Sequence, residues 1–211
     1  MKLLHIIATP RTYESNTLRI ATAYLESVRN KVATLSVDTL DLFGPELPTA
    51  VADHIAANYS LLARQPIQKR HLASWQQIER LIEQFLAADR YLITTPMWNL
   101  SVPYILKYYI DSIVQPSYLL EHTAAGWPIG LVQNKKMVCI VSHGSDYSVQ
   151  TPTLCHPHNF LEPYLRAIFG IIGIADIQFI TAQPMDVTPE LRETAVAAAI
   201  VEARQLAANF E

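Results

Sequence analysis

Tyr91-Leu-Ile-Thr-Thr95 is a nearly continuous apolar run of strand length, and the chain around it decides how the whole molecule folds. Before it, Trp75, Ile78, Ile82 and Phe85 recur at helical spacing. After it, Pro96-Met-Trp-Asn-Leu-Ser-Val-Pro103 leads into a second helical stretch, Pro103 to Ile113. A strand bounded by helices on both sides is the unit of a parallel α/β sheet. The same alternation extends in both directions, predicting strands at Leu3–Ala8, Leu35–Leu40, Met137–Ser142 and Ile177–Ala182. Further helices are predicted through Leu18, Ala21, Leu25 and Val28, over Phe160 to Ile172 and over Glu190 to Ala208.

The five runs differ in a way that bears on topology. Leu3–Ala8, Tyr91–Thr95 and Met137–Ser142 are apolar nearly throughout, as expected of strands covered by helices on both faces. The other two partly alternate apolar with polar residues, which suits half-exposed outer strands. Outer second and fifth strands match the order 2-1-3-4-5 of the flavodoxin-like doubly wound α/β fold. Residues 43–74 exceed a tight connection and read as an insertion with its own short helix near His54 to Arg64. With no repeat and no Gly/Ser-rich linker, residues 1–211 are expected to form one domain.

Composition narrows the function classes. The 211 residues are 50% hydrophobic and carry a formal charge of −3, with Lys and Arg scattered, so nucleic acid is not the expected partner. No apolar run approaches the roughly 18–20 residues of a membrane span, and the apolar stretch of MKLLHIIATPRTYE is too short for a signal peptide. A cytoplasmic protein without a disulfide is expected: Cys139 lies in an apolar strand and Cys155 in a polar loop.

In open parallel sheets, ligands bind beyond the carboxyl ends of the strands. After the first strand, Thr9, Ser15, Asn16 and Thr17 crowd hydroxyl and amide groups at a helix start, where free N–H groups and the helix dipole suit a phosphate. Ser15 or Asn16 also suits a simple helix cap. The loop is neither a GxGxxG fingerprint nor a P-loop. After the third strand, the backbone of Met97 to Leu100 lacks an obvious secondary-structure partner before the helix, for which Ser101 is the expected N-cap and Pro103 a first-turn residue. A planar heterocycle rich in donors and acceptors would satisfy that backbone. Trp98 would cover the ring and Asn99 would donate to it, although Trp98 also suits a core or subunit contact. After the fourth strand, Ser142-His-Gly-Ser145 joins a permissive glycine to polar side chains, suiting either one end of such a ring or an ordinary turn.

Thr-Pro-Arg with Ser15-Asn-Thr17, then Met97-Trp-Asn-Leu-Ser-Val-Pro-Tyr-Ile-Leu-Lys107, then Glu162-Pro-Tyr-Leu-Arg-Ala-Ile-Phe-Gly-Ile-Ile-Gly-Ile174 together resemble the FMN-dependent NADH-azoreductase family, in order across nearly the whole chain. The resemblance implies a flavodoxin-like homodimer binding FMN, with NADH or NADPH as donor and a quinone or azo compound as acceptor. It implies that Thr9, Ser15, Asn16 and Thr17 hold the phosphate and that Met97, Trp98, Asn99 and Leu100 contact the flavin, in place of the family's Met-Tyr-Asn-Phe. Ser142, His143, Gly144 and Ser145 stand where the family has Ser-Arg-Gly-Gly, exchanging a permanent cation for a titratable imidazole. No side chain is required as acid, base or nucleophile, because the cofactor carries the electrons. A non-enzymatic electron carrier on the same fold is the competing reading. A metal site built from His143, Cys155, His156 and His158 is a poor match to zinc-ligand spacings, so no metal is expected.

Overall fold

A computed structural model describes residues 1–11, 14–48, 51–63, 65–148 and 158–210. Five parallel strands form the central sheet: β1 (Lys2–Ile7), β2 (Ser36–Asp41), β3 (Arg90–Pro96), β6 (Lys136–Ser142) and β7 (Asp176–Ala182), in the order β2-β1-β3-β6-β7. Without the short hairpin β4 (Leu120–His122) and β5 (Pro128–Gly130), this is the expected 2-1-3-4-5 order. The three apolar runs are central and buried along their interiors, whereas β2 and β7 at the edges alternate in exposure.

Period-two geometry divides the sheet residues between two cores. Leu4, Ile6, Tyr91, Ile93, Met137, Cys139 and Val141 pack with α3 (Leu72–Leu86), α4 (Tyr104–Ile113) and α5 (Leu161–Ile171). Leu3, Leu92, Val138 and Ile140 face the opposite way, toward α1 (Asn16–Lys31) and α6 (Pro189–Ala207). Within 43–74 the short helix is α2 (Val51–Leu62), which packs on α3.

Two features were not expected from the sequence. The hairpin β4–β5 comes after α4 and packs on the end of α5, where the Val132 N–H donates to the Ile172 carbonyl at 2.9 Å. Ser101 does not cap α4: Pro103 occupies the N-cap position without a side-chain bond. Ser101 is held instead in a short bridge with Trp98, so the helix starts later.

Cys139 is a buried free thiol whose pKa burial pushes up, while Cys155 and His156 lie outside the described residues. Among the described residues, no group of three or more His, Cys, Asp or Glu side chains could hold a metal ion, and no helix is long and apolar enough to cross a membrane.

Candidate active site

The loops after β1, β3 and β6 leave the sheet side by side because backbone bonds continue across adjacent strands. The Ala8 N–H donates to the Thr94 carbonyl at 2.8 Å, that of Met97 to Ser142 at 2.8 Å, and that of His143 to Ala182 at 3.0 Å. Together the loops wall a cleft of ≈ 420 Å³ that contains Thr9, Ser15, Asn16, Thr17, Met97, Trp98, Ser142, His143 and Gly144. Its size is in the range of about 300–1,000 Å³ usual for small-molecule sites. Asn99, Leu100 and Ser145 do not line it; all three are exposed at loop tips.

At one end lies the start of α1. Ser15 is the N-cap: its Oγ accepts from the Leu18 N–H at 3.4 Å and lies 2.9 Å from Thr17 Oγ1. Ser15 and Thr17 are buried, as is Thr9, whose Oγ1 accepts from the Arg11 N–H at 3.4 Å. Asn16 and Thr17 bring the N–H groups of the helix start and the positive end of the helix dipole to the cleft, an electrostatic arrangement that favours a phosphate.

The middle wall differs from the expectation that Met97 to Leu100 lacks local pairing. Trp98 and Ser101 exchange backbone bonds of 2.9 and 3.1 Å, and between them Asn99 and Leu100 have φ of 48° and 72°. This is a two-residue hairpin turn with both central residues left-handed, a conformation usually given to Asn-Gly or Gly-Gly. The Leu100 carbonyl accepts from the Phe160 N–H at 3.0 Å. Among the described residues, the N–H groups of Asn99 and Leu100 have no partner. Phe43, Trp98 and Tyr104 meet with ring centroids 6.4 Å apart, forming an aromatic cluster beside the cleft.

The third wall holds His143, which is 1% exposed. Its Nδ1 is 2.8 Å from Gln183 Oε1, and the Tyr147 N–H donates to that same oxygen at 3.1 Å. Two donors on one acceptor orient the amide and put the imidazole proton on Nδ1, leaving a lone pair on the buried, unpartnered Nε2. Burial lowers the pKa of this histidine, opposed by the Gln183 bond and by Glu162, so the ring is neutral near pH 7. Gly144 lies against the Asp186 carboxylate, which a Cβ at this position would push aside.

The loop between β7 and α6, with the start of α6, supplies a fourth wall that the sequence reading missed: Met185 and Asp186 from the loop, Arg192 and Glu193 from the helix. Arg192 Nε donates to the Met185 carbonyl at 2.8 Å, while Arg19 pairs bidentately with Glu193 at 2.8 Å. The signal available for this wall was position alone, because the loop leaves the carboxyl end of a strand like the other three.

The chain matches the family described as flavodoxin-like fold over residues 1–207. It is 31% identical over 206 residues to FMN-dependent NADH:quinone oxidoreductase 3 of Pseudomonas fluorescens, covering 98% of this chain and 95% of that protein. It is 34% identical over 211 residues to FMN-dependent NADH:quinone oxidoreductase 2 of Pseudomonas syringae pv. tomato, covering 100% of both. An FMN-dependent NADH-azoreductase of Bacillus anthracis, solved in complex with FMN, shares the fold with a TM-score of 0.88 at 22% identity, covering 100% of this chain and 99% of that one. The chain therefore belongs to the flavodoxin-like fold family and, within it, to the FMN-dependent NADH:quinone oxidoreductases.

Proposed function

We propose that this protein is an FMN-dependent oxidoreductase that takes electrons from NADH and passes them to quinones or azo compounds. The observation that carries the reading is the convergence of the loops after β1, β3 and β6 on one cleft whose chemistry is graded, from a hydroxyl-lined helix start to an aromatic wall. These residues fit FMN. Thr9, Ser15, Asn16 and Thr17 would hold its phosphate, while Met97, Trp98, Ser142, His143 and Gly144 would surround its ring, with Asn99, Leu100 and Ser145 at the exposed tips of the same loops. His143, which lines the cleft with Nε2 unpartnered, offers the heterocycle an acceptor. When bound, FMN supplies hydride acceptance and electron delivery, so no side chain needs to act as nucleophile. The chain's own contribution is position and electrostatics: it anchors the phosphate, keeps backbone donors near the ring and narrows access by water.

The same reading makes residues 1–211 one flavodoxin-like unit with 43–74 inserted, and the protein a cytoplasmic homodimer. Supporting the dimer, Tyr104 is 68% and Phe160 53% exposed beside the cleft, an apolar surface that a second copy would cover.

The test is an absorption spectrum after saturation with FMN and removal of free ligand. A retained flavin band that bleaches anaerobically with NADH and returns with a quinone supports the enzyme. A retained band without turnover favours the electron carrier, and absence of retained flavin overturns the reading. Light scattering on the same sample reports whether the protein is dimeric.

A further inference from the structure

α1 and α6 pack side by side, and near their amino ends one ion pair ties them together. Arg19 Nη1 and Nη2 each donate to a carboxylate oxygen of Glu193 at 2.8 Å, and Nη1 also donates to Asn16 Oδ1 at 3.2 Å. Asn16 and Glu193 line the cleft, whereas Arg19 is not part of its wall. The guanidinium therefore reaches a ligand in the cleft only through its two partners.

Its first effect is on Asn16. A guanidinium carries donors and no acceptor, so the limb of the Asn16 amide that meets it is the oxygen. The nitrogen is the other limb, and it has no partner among the described residues. Held this way, Asn16 offers a ligand two N–H donors, the sense that an anion requires. Without Arg19 the amide is free to turn its oxygen to the cleft instead.

The second effect is on Glu193. One Arg19 nitrogen bonds both its carboxylate and the Asn16 amide, so this acid lies beside the start of α1. A phosphate monoester carries a charge of about −1.5 to −2 at pH 7, and a bare carboxylate there would repel it. The two-pronged bond from Arg19 sets a full positive charge against the acid at contact distance. That bond raises the pKa of Arg19 and lowers that of Glu193, so both stay ionised. Of the other charged residues in the wall, Arg11 and Arg192 match Glu14 and Asp186 in number. Glu193 is thus the acid whose charge must be cancelled from outside the cleft.

We infer that Arg19 is a positioning residue for the cofactor phosphate: it holds the Asn16 amide with its N–H groups free and cancels the charge of Glu193. The inference rests on the reading that FMN lies in this cleft with its phosphate at the start of α1. Both effects act on the phosphate and leave the ring alone. The ion pair is exposed and adds little to folding, so binding is where its loss is felt.

Riboflavin, which is FMN without the phosphate, separates this role from a merely structural one. The test titrates the full-length chain, freed of flavin, with FMN and with riboflavin, following flavin fluorescence. Arg19→Gln should weaken FMN binding about tenfold, the loss typical of a hydrogen bond to a charged group, and leave riboflavin unchanged. Adding Glu193→Gln to that variant should recover part of the loss, because the uncompensated carboxylate is gone. Should Arg19→Gln fail to fold, Arg19→Lys keeps the charge, lacks the two-pronged geometry, and must still weaken FMN while sparing riboflavin. Equal weakening of both ligands, unchanged FMN affinity, or a double variant as weak as the single one would overturn the assignment. An unaltered protein that binds FMN no more tightly than riboflavin would instead overturn the phosphate site itself, whatever Arg19 does.

Discussion

Leu100 is the least comfortable residue of the candidate site. A leucine at φ 72° places its Cβ against its own backbone, a cost of about 1–2 kcal/mol that glycine does not bear. Its side chain is 37% exposed, so little packing compensates. Leu100→Gly is therefore expected to raise stability by about 1 kcal/mol in urea denaturation while raising the KM for a quinone, because apolar surface beside the cleft is lost. A loss of stability would show that the leucine is held by packing rather than strained. Nothing in Trp98-Asn-Leu-Ser101 announces this turn, since Leu is a poor residue for it; the bridge between Trp98 and Ser101 imposes the conformation. His143 was equally illegible in one respect. Its type and place after a strand were readable, but its burial depends on Gln183, 40 residues away.

Among the elements, α1 carries a question that mutation can settle, because Ser15 is both its cap and a wall of the cleft. Ser15→Ala should lower stability by about 1 kcal/mol, the usual value of an N-cap, and weaken FMN binding about tenfold, read by flavin fluorescence titration. Unchanged FMN affinity would reduce Ser15 to a cap. The hairpin β4–β5 makes a different demand. A Cβ at Gly130 would run into the backbone at Ile172 and Gly173, which cannot move without displacing the end of α5. Gly130→Ala is expected to cost about 1–3 kcal/mol in thermal or urea unfolding, the range for overpacking a filled site. The helices and sheet strands were legible from periodicity because each buries a face several residues long. At three residues a strand, β4 and β5 are too short to leave a period, and only their packing on α5 makes them ordered.

At the scale of the whole molecule, pH reaches stability through a histidine inside a central strand. His5 is 5% exposed, with Nε2 3.2 Å from Thr94 Oγ1, and burial lowers its pKa from 6.5 to about 4. Between those two values the unfolded chain binds a proton that the folded chain refuses, so stability falls as pH drops through 6.5 and the loss levels off below about 4. From His5 alone the slope approaches about 1.4 kcal/mol per pH unit within the window. Urea denaturation across that range should show it, and His5→Asn should flatten it; an unchanged slope would assign the effect to other groups. By itself the sequence determined the five strands of the sheet, which of them lie inside and which at its edges, and the three loops that meet at the cleft, because each is encoded by hydrophobic period and by the composition of the loop after each run. Only the tertiary structure decided the exact strand order, the left-handed turn at Asn99 and Leu100, the burial of His143 and the wall from Met185 to Glu193. Those features arise from groups distant in sequence that must share one space, and local periodicity carries no record of which distant groups will meet.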